Sequence, residues 1–297
     1  MFNGNASGRK IYVPAGSVSN YKSAAYWSSY ANDILGIQSL TLNENTSNST
    51  AIQNANGQMS EVTLSGRTLY KDGKWNTICL PFSLSAAQIA ASPLAGADIR
   101  ALSSASITGQ TLNLMFTPAA PAEGAVTAIE AGTPYLIKWD AAEDLVNPVF
   151  IGVTVSSTTH DFISADGKVT FKGTYAYQAF DTENTSILFV GGDNLYWPEP
   201  DTTTDPNNPK YPSIGAFRAY FDLGTTNAPD MNIVLNFGDT ATGIENVQRS
   251  TFFATPHSQR ENVQCNGAWF TLDGRKLQGQ PTTKGIYIHG GRKVVVK

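Results

Sequence analysis

The sequence predicts a mainly β protein, an antiparallel β-sandwich, and three observations predict it. Apolar runs of four to eight residues alternate with polar positions and end at Gly, Pro, Asn or Asp. Charged residues make up only 15% of the chain while Gly (26) and Pro (15) are plentiful, and Ser with Thr make roughly a fifth, a mix suited to short strands and many turns rather than a helical bundle. The strand-like runs also follow one another without helical patterns of useful length, which argues against βαβ units. At 297 residues the chain can bury a sizeable core. Its net charge of -4 argues against a general nucleic-acid binder. No apolar run approaches the roughly 18 residues of a membrane span.

The chain opens on MFNGNASGRK, which has no charged-then-apolar signal-peptide pattern. Residues 10–34, KIYVPAGSVSNYKSAAYWSSYANDI, begin with the alternation of Ile11 and Val13 and turn at Pro14, Ala15 and Gly16. Ser17 is a candidate N-cap for Val18, Tyr21, Ala25 and Tyr30 at helical spacing. This IYVPAGSV…YK strand–turn–helix resembles the closing repeat of bacterial leucine-rich-repeat surface proteins of the BspA type. The resemblance implies a leucine-rich-repeat cap over residues 1–38, preceding repeats that this chain lacks, and a place in the C-terminal part of a longer protein. A lone repeat cannot bury its own apolar face. The cap is therefore expected to fold back on the sandwich or to pair with a second copy, giving a monomer or weak dimer. Residues 39–60 are polar and aperiodic and read as a linker.

The sandwich is expected over 61–242. Asp72-Gly73 sits between apolar runs as a hairpin signal, and Asp166-Gly167 is a second turn. Ser85 with Gln88 forms a capping-box pattern ahead of a short helix that Pro93 stops. Strands are expected at 111–116, 134–139, 149–155, 168–175, 186–190, 215–223 and 231–237. The pieces LYKDGKWNTICLPF, IEAGTPYLIKW and IGAFRAYFDL resemble a β-rich domain of Bacteroides-type extracellular proteins, which implies a fold and an extracytoplasmic address but no activity.

Residues 243–263 read as a second linker, and 264–297 as a small C-terminal β-hairpin unit with turns at Asp273-Gly274 and Gly290-Gly291. The pattern LDGRKL…GIYI…GRKVVVK resembles the C-terminal tails of exported Bacteroidetes proteins, including sorting tails, and implies an extracellular or outer-surface location. Six basic residues (Arg275, Lys276, Lys284, Arg292, Lys293, Lys297) stand here against Asp273 alone, so the rest of the chain is acidic.

No catalytic residue, metal or cofactor is expected from the sequence. His160, His257 and His289 have no nucleophile motif beside them, and no G-x-S-x-G elbow occurs. Cys79 and Cys265 read as unpaired thiols. Asp140, Glu143, Asp144, Asp181 and Glu183 offer carboxylates but no marked pair. Asp201, Asp205, Asn207 and Asn208 supply oxygens without the spacing of a calcium loop. The loop 194–213 is more suggestive. It carries Tyr196, Trp197 and Tyr211 among five prolines, so stiff backbone presents aromatic faces able to stack on a sugar or a partner. Folding back as a lid over the sandwich end is the alternative role for these rings. The expected function is a non-enzymatic cell-surface or secreted protein of adhesion type with a protein or glycan ligand. The sandwich would act as spacer and the tail in export or anchoring. A carbohydrate-binding module using Tyr196, Trp197 and Tyr211 is the alternative.

Overall fold

The computed structural model describes residues 8–118, 120, 122–141, 143–191, 194–202, 210–237, 241–246, 269–271, 276–277, 281, 285–289 and 292–296. It divides into a large unit, Met1–Phe253, and a small one, Ala254–Lys297. Strand β1 (Ile11–Pro14) is followed by a 3-10 turn and helix α1 (Val18–Ser23), then by β2 (Ile34–Asn43). Ser17 occupies the N-cap position of α1, but its side chain makes no capping hydrogen bond. The stretch read as a linker is ordered instead: β2 runs to Asn43, α2 (Ser49–Ala55) follows, and β3 begins at Met59 and ends at Ser65. Its polarity is misleading because Leu42, Ile52 and Ala55 face the core, with Leu40 and Ala51 packed beside them, while polar Glu44 and Asn48 are themselves buried.

Strand β2 joins the N-terminal segment to the body. Its first half pairs in parallel with β1, Ile34 opposite Ile11 through Ile37 opposite Pro14. Its second half pairs in parallel with β3, Gln38 opposite Ser60 through Asn43 opposite Ser65. The N-terminal segment thus folds within its own chain, although Ile11, Val18, Tyr21, Trp27 and Tyr30 stay only half-buried.

The body continues with β4 (Thr68–Leu69), β5 (Asn76–Cys79), α3 (Ala86–Ala90), β6 (Asp98–Thr108), β7 (Thr111–Phe116), β8 (Pro134–Lys138), β9 (Leu145–Val146) and β10 (Val149–Thr154). Then come β11 (Phe162–Ile163), β12 (Thr170–Thr174), β13 (Gln178–Ala179), β14 (Ile187–Gly191), β15 (Asn194–Tyr196), β16 (Ser213–Ile214), β17 (Arg218–Asp222), β18 (Asn232–Asn236) and β19 (Ala241–Asn246). The described chain is 44% strand and 12% helix, which makes it the β-rich sandwich the composition predicts. A six-stranded sheet, β19-β18-β7-β6-β8-β5, packs on a five-stranded sheet, β11-β12-β17-β14-β15. Leu112, Leu114, Phe116 and Leu136 of the first meet Phe171, Leu188, Ala219 and Phe221 of the second in one core.

A second core lies on the other face of the β8–β5 end. There Ile78, Tyr135 and Ile137 meet Leu42, Val62, Leu64, Phe150 and Val153 of β2, β3 and β10. Period-two alternation thus sends Leu136 into one core and its neighbours Tyr135 and Ile137 into the other, so the middle of this strand is apolar on both faces. The pairing is mixed rather than purely antiparallel, because β7 and β18 also run parallel, Asn232 opposite Thr111.

The turn signals divide. Asp166-Gly167 closes a true hairpin: β11 pairs β12, and the Asp166 carboxylate accepts from Ser164 Oγ at 2.6 Å. Asp72-Gly73 makes a turn without a hairpin, since β4 pairs β9 and β5 pairs β8. The Ser85–Gln88 capping box forms in full at the start of α3.

The small unit is a four-stranded antiparallel sheet, β21-β20-β22-β23, from β20 (Trp269–Thr271), β21 (Lys276–Leu277), β22 (Gly285–His289) and β23 (Arg292–Val296). Its Asp273-Gly274 and Gly290-Gly291 turns, and most of the 243–263 segment, lie outside the described residues.

A polar cleft as candidate functional site

The three aromatic residues expected to bind a ligand do not present three faces. Trp197 is 4% exposed and belongs to the sandwich core, its indole Nε1 without an acceptor among the described residues. Burial leaves this ring no face to stack on a sugar; it does what a lid residue would do. Tyr196 ends β15 half-buried, its ring centroid 6.0 Å from that of Phe189, and its hydroxyl accepts from Asn194 Nδ2 at 3.4 Å. Tyr211 is half-buried as well. Within this loop Asp201 and Lys210 exchange a pair of backbone hydrogen bonds, while Asp205, Asn207 and Asn208 lie outside the described residues.

Cys79 is fully buried on β5, and burial, with Asp161 adding to it, pushes its thiol up to about 12, so it stays protonated and inert at neutral pH. Cys265 and His257 lie outside the described residues. No cluster of three or more His, Cys, Asp or Glu able to hold a metal occurs among the described residues.

A different set of side chains does converge. A cleft of about 590 Å³ opens at the Thr154 end of β10, lined by Lys10 just before β1, Glu130 and Ala131 before β8, and Ser156 and His160 after β10. Ser83 and Gln88 line the wall beside them. The wall is built from backbone hydrogen bonds. Leu84 and Ile129 exchange a pair at 2.8 Å, Ser156 N donates to Pro81 O at 2.7 Å, and His160 N donates to Gly132 O at 3.0 Å. Gly132, at φ +77°, allows the 158–159 backbone to lie where a side chain would otherwise project. Tyr175, behind the wall, places its hydroxyl 3.2 Å from Leu80 O and 3.1 Å from Thr158 O.

Two of the polar side chains are held in place. The capping box fixes Gln88, whose Oε1 accepts from both Ser85 N and Ser85 Oγ at 3.0 Å, leaving its amide N–H groups to the solvent side. Ser83 Oγ accepts from Ala131 N at 3.0 Å and keeps its own O–H to donate. The Lys10, Glu130 and His160 side chains are exposed and make no hydrogen bond or ion pair among the described residues. The set offers hydrogen-bond donors and acceptors and charges of both signs.

Of this group only His160 and Gln88, the latter through its capping box, are marked in the sequence. The other named side chains arrive from four separate stretches, and no local spacing joins them. No protein-family model, curated protein or solved structure shows significant similarity to the chain.

Proposed function

We propose that the chain is a non-enzymatic interaction module that works at the outer cell surface or in secreted form, its sandwich serving as a spacer body and its C-terminal tail in export or anchoring. One observation carries the reading: β1, β2 and β3 run parallel, each step passing through a short helix, and β2 is shared between the N-terminal segment and the body. Strand–helix steps added in parallel are the way stacked repeats extend, and a body that continues such a stack by main-chain pairing holds it without a hinge. The resemblance of residues 10–34 to a terminal repeat, and of the last thirty to export tails, supports the same role.

The test is antibody labelling of intact producing cells with serum raised against residues 61–242. Labelling without permeabilisation is the expected result. Labelling only after permeabilisation, with none of the protein in the medium, would overturn the reading.

A further inference from the structure

We infer that the cleft between Lys10, Glu130 and His160 binds a neutral, hydroxyl-rich ligand, a segment of glycan. This names the ligand class of the interaction module proposed above and takes its biological setting from that reading. The cleft's volume of about 590 Å³ lies within the range of ligand pockets, but its lining is mostly polar, so it is not built for an apolar molecule. An apolar ligand would strip water from Lys10, Glu130 and His160 and return nothing to them. An anion would meet the Glu130 carboxylate, and a cation the Lys10 ammonium.

A peptide added as a strand would need an unpaired edge. The strand bordering the cleft is already engaged: Thr154 pairs Met59, Val155 bridges Phe82, and Val155 N donates to Gln58 O. Hydroxyl groups fit what remains, because each both donates and accepts. Gln88 and Ser83 supply fixed donors, Glu130 the acceptor, and Lys10 and His160 reach in from opposite stretches of chain. The walls, Gln88 and Ser83 are already fixed, so the ordering that opposes binding falls on the exposed side chains of Lys10, Glu130 and His160.

The experiment is calorimetric titration of the full chain with maltopentaose, mannopentaose, xylopentaose and a heparin tetrasaccharide. Saturable binding of at least one neutral pentasaccharide is expected. Glu130→Gln combined with His160→Ala should weaken it by roughly tenfold or more, the scale of losing hydrogen bonds to charged groups. Both residues are exposed, so the variant should keep the wild-type melting temperature, and that is measured alongside. Binding of the heparin fragment alone, or of none of the neutral sugars, overturns the proposal. So does neutral-sugar binding that survives the cleft variant and is lost in Tyr196→Ala with Tyr211→Ala. Failure of the surface reading would appear separately, as absent labelling of intact cells with sugar binding retained.

Discussion

The ring of Tyr12 lies over Gly152, its Cζ 2.5 Å from the point where a β-carbon on residue 152 would stand. Gly152 holds φ at +68° in a bulge of β10, where Ile151 and Gly152 together face Glu61 of β3. The N-terminal strand therefore touches the body at two places: at β2, through its backbone, and at this bulge, through an aromatic ring seated where only hydrogen fits.

Gly152→Ala should destabilise the chain by about 2–4 kcal/mol, adding left-handed backbone strain to overpacking against the ring. Adding Tyr12→Ala should recover the packing part but not the strain. Urea unfolding of the two single variants and the double variant measures this coupling. Additive losses would show that ring and glycine are not in contact.

Glu44 ties the end of β2 to β17. Its Oε1 accepts from Arg218 Nη2 at 2.6 Å and lies 3.6 Å from Nη1 of the fully buried Arg67. Burial, reinforced by Arg218, pulls Arg67 down to about 9, which marks how costly this charge is to hold. Glu44→Ala leaves that cation without its carboxylate and should cost about 3–5 kcal/mol in urea unfolding. A loss below 1 kcal/mol would show that the backbone acceptors of Arg67, Thr68 O and Thr77 O, suffice.

Alkali should weaken the fold through Cys79. Its folded thiol titrates at about 12 against 9.0 for the free group, so above pH 9 the unfolded chain releases this proton first and the native state binds more protons. Stability then falls as pH rises from 9 toward 12. Arg67 acts with the opposite sign, because the unfolded chain keeps its proton longer in the same range. Comparing wild type with Cys79→Ala isolates the thiol: the wild-type advantage should shrink steadily over pH 9 to 11 and remain constant below pH 8. A constant difference throughout would contradict the burial effect.

Trp197→Ala should cost about 3–5 kcal/mol, as expected for removing a buried large aromatic side chain. Tyr211→Ala, at a half-buried position, should cost clearly less. Thermal melts of both variants decide whether any binding defect of the Trp197 variant reports on a ligand or on the fold.

Elements with strong local signals were readable. TLNLMF alternates cleanly and is β7 without a shift in either boundary. Ser85 and Gln88 form the capping box their spacing predicts, since that motif needs only neighbours within one turn. By contrast, β6 has no strand signal of its own, because ALSSASIT carries small polar residues at positions that pairing with β7 and β8 on both sides holds in the sheet. Asp72-Gly73 marks a turn but no hairpin, because a turn sequence fixes where the chain reverses but not which strands then meet. The cleft was invisible for the same reason. Lys10, Glu130 and His160 are brought together by pairings between distant segments, such as β3 with β10 and Phe82 with Val155, and no spacing along the chain encodes that.

The handover along β2 has a mechanical consequence. A pull on the N-terminal end along the strand direction loads the parallel β1–β2 bonds in shear, so that they resist together instead of peeling one at a time. Tension reaching β2 passes directly into β3 through the next six paired residues, with no loop between to stretch first. An object attached ahead of β1 would therefore pull on the centre of a folded body, and under force it would keep its orientation until that sheet gave way.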